Sequence, residues 1–205
     1  MVLIIGLFAA TGYGTESAEI ERLRAENARL QTRVTTLEAE LARARRASSA
    51  LTERAETVVH EAQTNGLRLV HTDPMPVRTD SGVRSRHWLT FRSQPGAAAE
   101  AAVEFIIDTA SSDGAYRSAE QLQLSIDGNT AAFPVTSYTS HGLGPTRGAG
   151  AKRQLDEKVQ IALPLTVLDH LAQAHAASAE IGQTSFRFTP EQLAAARAFR
   201  ARLGP

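Results

Sequence analysis

From Ile20 onward the chain carries a stripe of apolar residues whose spacing alternates three and four without a break to Ala62. With Ile20 at position a, the a sites are Ile20, Asn27, Val34, Leu41, Ser48, Ala55 and Ala62. The d sites are Leu23, Leu30, Leu37, Ala44, Leu51 and Val58. A helix packed on a globular core shows a wider face, so a two-in-seven stripe held this long predicts a coiled-coil seam. The seam spans roughly 65 Å at 1.5 Å per residue. It strongly limits what residues 16–65 can be, because one narrow stripe cannot be buried by the helix that carries it.

The flanking charges say which partner suits the seam. In a parallel pair, position g of one chain faces e of the next heptad on the other. Glu19 then meets Arg24, Arg33 meets Glu38, Glu40 meets Arg45, and Glu26 faces the neutral Gln31. β-Branched residues at a with leucine at d favour two parallel strands, and Asn27 at a is a register-fixing polar site. A back-folded or antiparallel partner would need a second heptad segment, and the sequence has none. The expected dimerisation residues are Ile20, Leu23, Asn27, Leu30, Val34, Leu37, Leu41 and Leu51. The seam weakens at Ser48, Ala55 and Ala62, and Gly66 is the expected C-cap.

Before the seam lies "MVLIIGLFAATGYG", residues 1–14, whose apolar run is too short for an ordinary membrane span. It has the length of a signal-peptide core but lacks the charged region that precedes one. A signal sequence, a short anchor and a tail are all compatible with it. A leader resembling that of bacterial lipoproteins is disfavoured, since Tyr13 stands where the lipidated cysteine would be. Residues 1–15 are therefore expected to be a leader or membrane-proximal segment, which favours the cell envelope over the cytoplasm, a bare apolar run being costly to expose.

Residues 66–205 change period from seven to two. "LRLVH", "VRSRHWLTF", "AVEFIID", "QLQLSI", "AAFPVTSYT", "EKVQIAL" and "AEIGQTSFRF" read as strands, the last with Gly182 at a bulge. "TDPMPVRTDSG" reads as a loop. Asp127-Gly128 between two alternating runs is a hairpin signal, and Pro134 argues for an edge strand. Pro164 opens a helix with Leu165, Leu168, Leu171 and Ala172 on one face. Thr189, Pro190 and Gln192 form a capping box for a second helix, with Leu193, Ala196, Phe199 and Leu203 inward. The expected class is α+β: a long N-terminal parallel coiled-coil helix, then five to seven mostly antiparallel strands with two C-terminal helices.

Chemistry is harder to find. Acids and bases balance at 22 each, and neither part is strongly basic, so no nucleic-acid footprint shows. With no cysteine, disulfides, thiolate metal sites and a cysteine nucleophile are excluded. No nucleophile elbow, zincin or phosphate-loop pattern occurs. In "HGLGPTRGAGAKR", residues 141–153, Arg147 replaces the third glycine of a dinucleotide fingerprint. Arg147, Lys152 and Arg153 could instead contact an anionic partner. His170 and His175, five apart on the expected helix, are assigned to different faces, and His87 beside Trp88 to a half-buried strand. No catalytic, cofactor-binding or metal residue is nominated, and no cofactor is expected.

The resulting expectation is a non-catalytic cell-envelope protein. A coiled coil makes it a parallel homodimer and presents a C-terminal domain to an unknown protein or envelope ligand, with the N-terminus a candidate membrane contact. The alternatives are an enzyme of unrecognised type with a dimerising arm, and a cytosolic coiled-coil adaptor. A leader, a coil and a small β-rich domain resemble bacterial envelope proteins in architecture, a likeness that supplies no functional residues.

Overall fold

The computed structural model describes residues 12–64, 67–79, 86–93, 102–111, 114–143 and 154–204. It divides into two compact units, Met1–Ser49 and Ala50–Pro205.

The first unit is helical. α1 runs Gly12–Thr57, 46 residues rich in Ala, Glu, Arg and Leu, the best helix formers. Thr32, Thr35 and Thr36 bond back to carbonyls four residues earlier, which satisfies their hydroxyls without leaving the helix. The helix ends before Ala62, where the seam reading had placed its last a position. The β-branched run Thr57, Val58 and Val59 favours extended backbone, and β1 (Val59–Thr64) starts at once. Within the second unit Ala55 and Val59 are buried and Val58 packs on the core. The last part of the stripe is thus spent on the globular core rather than on a coil. The expected cap, Gly66, lies outside the described residues.

The second unit is α+β. Its strands are β1, β2 (Leu67–Thr72), β3 (Met75–Val77), β4 (Arg86–Ser93), β5 (Ala102–Ser111), β6 (Gln121–Ile126), β7 (Asn129–Leu143), β8 (Gln154–Pro164), β9 (Ala177–Ile181) and β10 (Thr184–Arg187). They form one sheet in the order β1-β2-β4-β5-β8-β7-β6-β9-β10, with β3 beside β4. Every pairing among the described residues is antiparallel. An isolated bridge from Thr79 to Phe186 joins the β3 side to β10, so the sheet curls.

There are ten strands where five to seven were expected, and each extra one has a physical reason. β1 comes from the end of the heptad stripe. β3 lies inside the expected proline loop, paired Met75 to Leu89 and Val77 to His87. β10 arises because Gly182, at φ +58°, makes a two-residue hairpin turn and not a bulge, with Ile181 paired to Thr184. The Asp127-Gly128 hairpin forms as expected, with both residues at positive φ, the pattern of a type I′ turn.

The edge expectation for Pro134 holds for one half of its strand. β7 is interior in the sheet order, yet its two halves have different neighbours. Asn129–Pro134 pairs only with β6, and β8 joins from Val135 onward, past an irregularity between Val135 and Ser137. Pro134 therefore sits where the strand has one neighbour, and its missing N–H removes no ladder bond.

Two helices complete the unit: α2 (Leu165–Gln173) and α3 (Pro190–Leu203). The capping box forms at Thr189 and Gln192, and the Gln192 amide also donates to the Pro76 carbonyl at 2.9 Å. Arg197 donates to the Ala172 carbonyl at 2.8 Å, at the C-terminal end of α2, and Arg200 pairs with Asp169 at 2.5 Å. Arg197 thus lies where the α2 carbonyls concentrate negative charge. Ala195 and Ala196 are buried, which lets α3 approach the sheet closely. Phe199 is buried and stacks on Phe91, which meets Phe105 edge-on. Phe199→Ala is expected to cost about 3–5 kcal/mol, read as a fall in the urea midpoint at unchanged slope.

Candidate functional site

Three features of the described residues have the make-up of a site. The first is the face of α1. Ile20, Leu23, Leu30, Val34, Leu37 and Leu41 are 48–56% exposed, and each holds an a or d position. Leu51, the last expected dimerisation residue, is half-buried in the second unit, and Asn27 is exposed in line with the seam. An apolar row that leaves the other faces to charge is a surface shaped to be covered.

The second is a polar cluster inside the sheet. Glu157 on β8 is buried, and its carboxylate accepts from the Ala115 N–H at 2.8 Å, the Tyr116 N–H at 3.2 Å and the Tyr138 hydroxyl at 2.9 Å. Those bonds tie the 114–119 segment to β8 and β7. The Tyr116 hydroxyl lies 2.7 Å from His87 Nδ1 and also bonds to Thr184. Burial pushes the Tyr116 phenol well above its usual range. Burial also holds the His87 imidazole below its ordinary value, against an opposing pull from the Glu157 carboxylate. The groups are mutually satisfied and sealed from water, so the cluster anchors a loop instead of presenting reactive atoms. Sequence reading placed His87 on a half-buried strand. It is fully buried, because Tyr116, 29 positions away in sequence, supplies the partner an apolar site demands.

The third is a cleft of about 450 Å³ between the β6–β7 hairpin and α2, within the size range of ligand sites. Leu124, Ile126, Ala131 and Phe133 from the hairpin and Val167 from α2 line its apolar part. Its polar part is His170, Gln173 and His175 with Asp127, Asn129 and Thr130 of the hairpin. α2 ends at Gln173, so His175 follows the helix and lines the same cleft as His170. This corrects the assignment of the two histidines to different faces. Asp127 fixes the cleft's end: its carboxylate accepts from the Ala176 N–H at 2.8 Å and the His175 N–H at 3.1 Å, while its own N–H donates to the Ala176 carbonyl. The Ala176 bond is foremost in holding the Asp127 carboxyl below the usual range, with the His175 backbone and ring adding to it.

Asp169 is paired with Arg200 on α3, so it makes no dyad with its neighbour His170. Arg147, Lys152 and Arg153, the expected anion contacts, lie outside the described residues. No described group of three or more His, Asp or Glu has the arrangement of a metal site. Comparison with protein families, with curated proteins and with solved structures finds no match to this chain.

Two outcomes test the buried cluster. Glu157→Gln turns an amide N–H toward donors that now meet an oxygen, and is expected to cost about 1–3 kcal/mol in urea unfolding. His87 gives a pH signature. The unfolded chain protonates it near 6.5 and the folded chain only at lower pH, so unfolding takes up a proton between those values. Stability is therefore lost as pH falls from about 6.5 through the folded value. His87→Gln is expected to lose less stability than the wild type between pH 7 and pH 5, and equal losses would assign the acid sensitivity elsewhere.

Proposed function

We propose that this chain is a non-catalytic cell-envelope protein in which α1 pairs in parallel with α1 of a second copy. The α+β unit that each chain carries then binds a partner. The observation that carries the reading is the row of six exposed apolar side chains, all at a and d positions. Covering a fully exposed Leu, Ile or Val is worth about 1.5–3 kcal/mol, and these are about half covered already. Six per chain thus offer on the order of 5–9 kcal/mol, or about twice that for a pair, against roughly 4–15 kcal/mol of association cost. The g–e ion pairs add only a few tenths each and act on orientation.

The envelope assignment rests on the apolar residues 2–13. No helix among the described residues is long and apolar enough to cross a membrane. Export or tethering by the N-terminus would set the paired stalk between the membrane and the partner-binding units, and pairing two units raises avidity without a new contact. The reading as an enzyme with a dimerising arm draws on the convergence of His170 and His175 on the cleft. The sealed His87–Tyr116 pair gives it no support.

Sedimentation equilibrium at tens of micromolar is expected to return twice the 22.0 kDa chain mass. The double substitution Leu30→Glu with Leu37→Glu is expected to return one chain mass with the thermal transition of the α+β unit retained. Because the chain has no cysteine, Leu23→Cys alone reports register. Oxidation is expected to link the pair almost completely if the helices are parallel, and a wild-type monomer or an unlinked variant would sink the proposal.

A further inference from the structure

Among the described residues, the early half of β7 is an open strand edge. In the two-residue hairpin, Ile126 and Asn129 flank the turn as a hydrogen-bonded pair. The alternation that follows sends the main-chain groups of Asn129, Ala131 and Phe133 toward β6. The Val135 N–H bond to the Glu120 carbonyl, 2.9 Å, continues it. The N–H groups of Thr130 and Ala132 and the carbonyls of Thr130, Ala132 and Pro134 therefore point away from β6. β8 reaches β7 only at Val135, so no described strand meets them.

Natural sheets blunt such edges with lysine, with inward charge or with a cover. Asn129–Phe133 carries no charged side chain, and two alanines allow a backbone to come close. The cleft is lined by the same stretch, through Asn129, Thr130, Ala131 and Phe133, and Ile126 and Val167 add apolar wall for side chains of an added strand. Its polar lining selects the occupant. His170 and Gln173 supply donors, while the His175 ring lies 3.7 Å from the cleft's one carboxylate, Asp127, which two backbone N–H groups also engage. Those donors call for a neutral acceptor side chain on the incoming chain, because the Asp127 carboxylate beside them would repel a second negative charge. A second copy of this unit fits less well, since its own β7 would bring β6 and α2 into the same gap.

We propose that the open edge of β7 and the cleft beside α2 bind an extended segment of a partner protein, apolar at alternate residues and with an amide acceptor near one end, by strand addition. This rests on the reading of the α+β unit as partner-binding and gives it a site and a ligand class.

The test uses the full chain and a set of acetylated, C-terminally amidated heptapeptides that alternate Val or Leu with Thr and end in Asn. Calorimetry is expected to find micromolar binding for at least one member, and exchange of the Thr130 and Ala132 amides is expected to slow when it binds. N-methylation of the peptide amides on one edge is expected to abolish binding, and on the other edge to leave it intact. Ala132→Pro, which removes an outward N–H, and His170→Glu, an exposed position that cannot upset the core, are each expected to weaken binding about tenfold. Absence of binding by every peptide at about 1 mM overturns the proposal. So does equal binding of both N-methylated forms, or unchanged affinity in both variants. Slowing of the same amides with protein concentration alone would name a second copy as the occupant and overturn it too. The Leu30→Glu, Leu37→Glu chain is expected to bind the peptide with unchanged affinity, so a failed dimer and a failed cleft give different results.

Discussion

The pairing of β7 with two different neighbours governs the second unit. Its first half belongs with β6 and its second half with β8, and the strand bends between them at Pro134 and the irregularity that follows. A strand pairing β8 along its whole length would bring the β6–β7 hairpin down onto the end of β8. The bend turns the hairpin away, lets β6, β9 and β10 curl toward Thr79, and leaves a gap on one side. α2 follows β8 directly at Pro164 and borders that gap. The cleft lies between that hairpin and α2.

Two polar anchors hold this geometry. Glu157 sits on β8 opposite Ser140 of β7 and gathers Tyr138 of β7 and the 114–119 segment, so it ties the two strands beyond the bend. Asp127 ties the hairpin turn to the segment after α2. A buried carboxylate is tolerated because three donors compensate its lost hydration, and a neutral His87 nearby adds no second charge to bury. The aromatic core, with Phe91, Phe105 and Phe199 in contact, supplies the apolar burial these polar sites cannot.

Several elements could be read directly from the chain. The strands carrying Val103, Phe105 and Ile107, and Val159, Ile161 and Leu163, alternate cleanly, and all six residues are fully buried. The Asp127-Gly128 turn and the Thr189 capping box depend on local chemistry alone, and both form. The misread elements share one cause. Thr57–Thr64 keeps the heptad spacing yet is β-branched at its start, and pairing with β2 decides in favour of a strand. Gly182 serves a bulge or a turn equally well, and only the Ile181–Thr184 pairing chooses. His170 and His175 meet at one cleft because α2 stops at Gln173, with Arg197 bonding the Ala172 carbonyl from α3.

The sequence by itself determined the long helix, its narrow apolar stripe with complementary flanking charges, the alternating strands and the α+β class. Each of these is written in local periodicity, which needs no knowledge of distant contacts. Only the tertiary structure decided where the stripe stops being free and joins the core, that Tyr116 secures His87 while Glu157 holds the Tyr116 backbone, and that the first half of β7 pairs with β6 alone among the described strands. These depend on pairings between residues far apart in the chain, whose geometry no local pattern encodes.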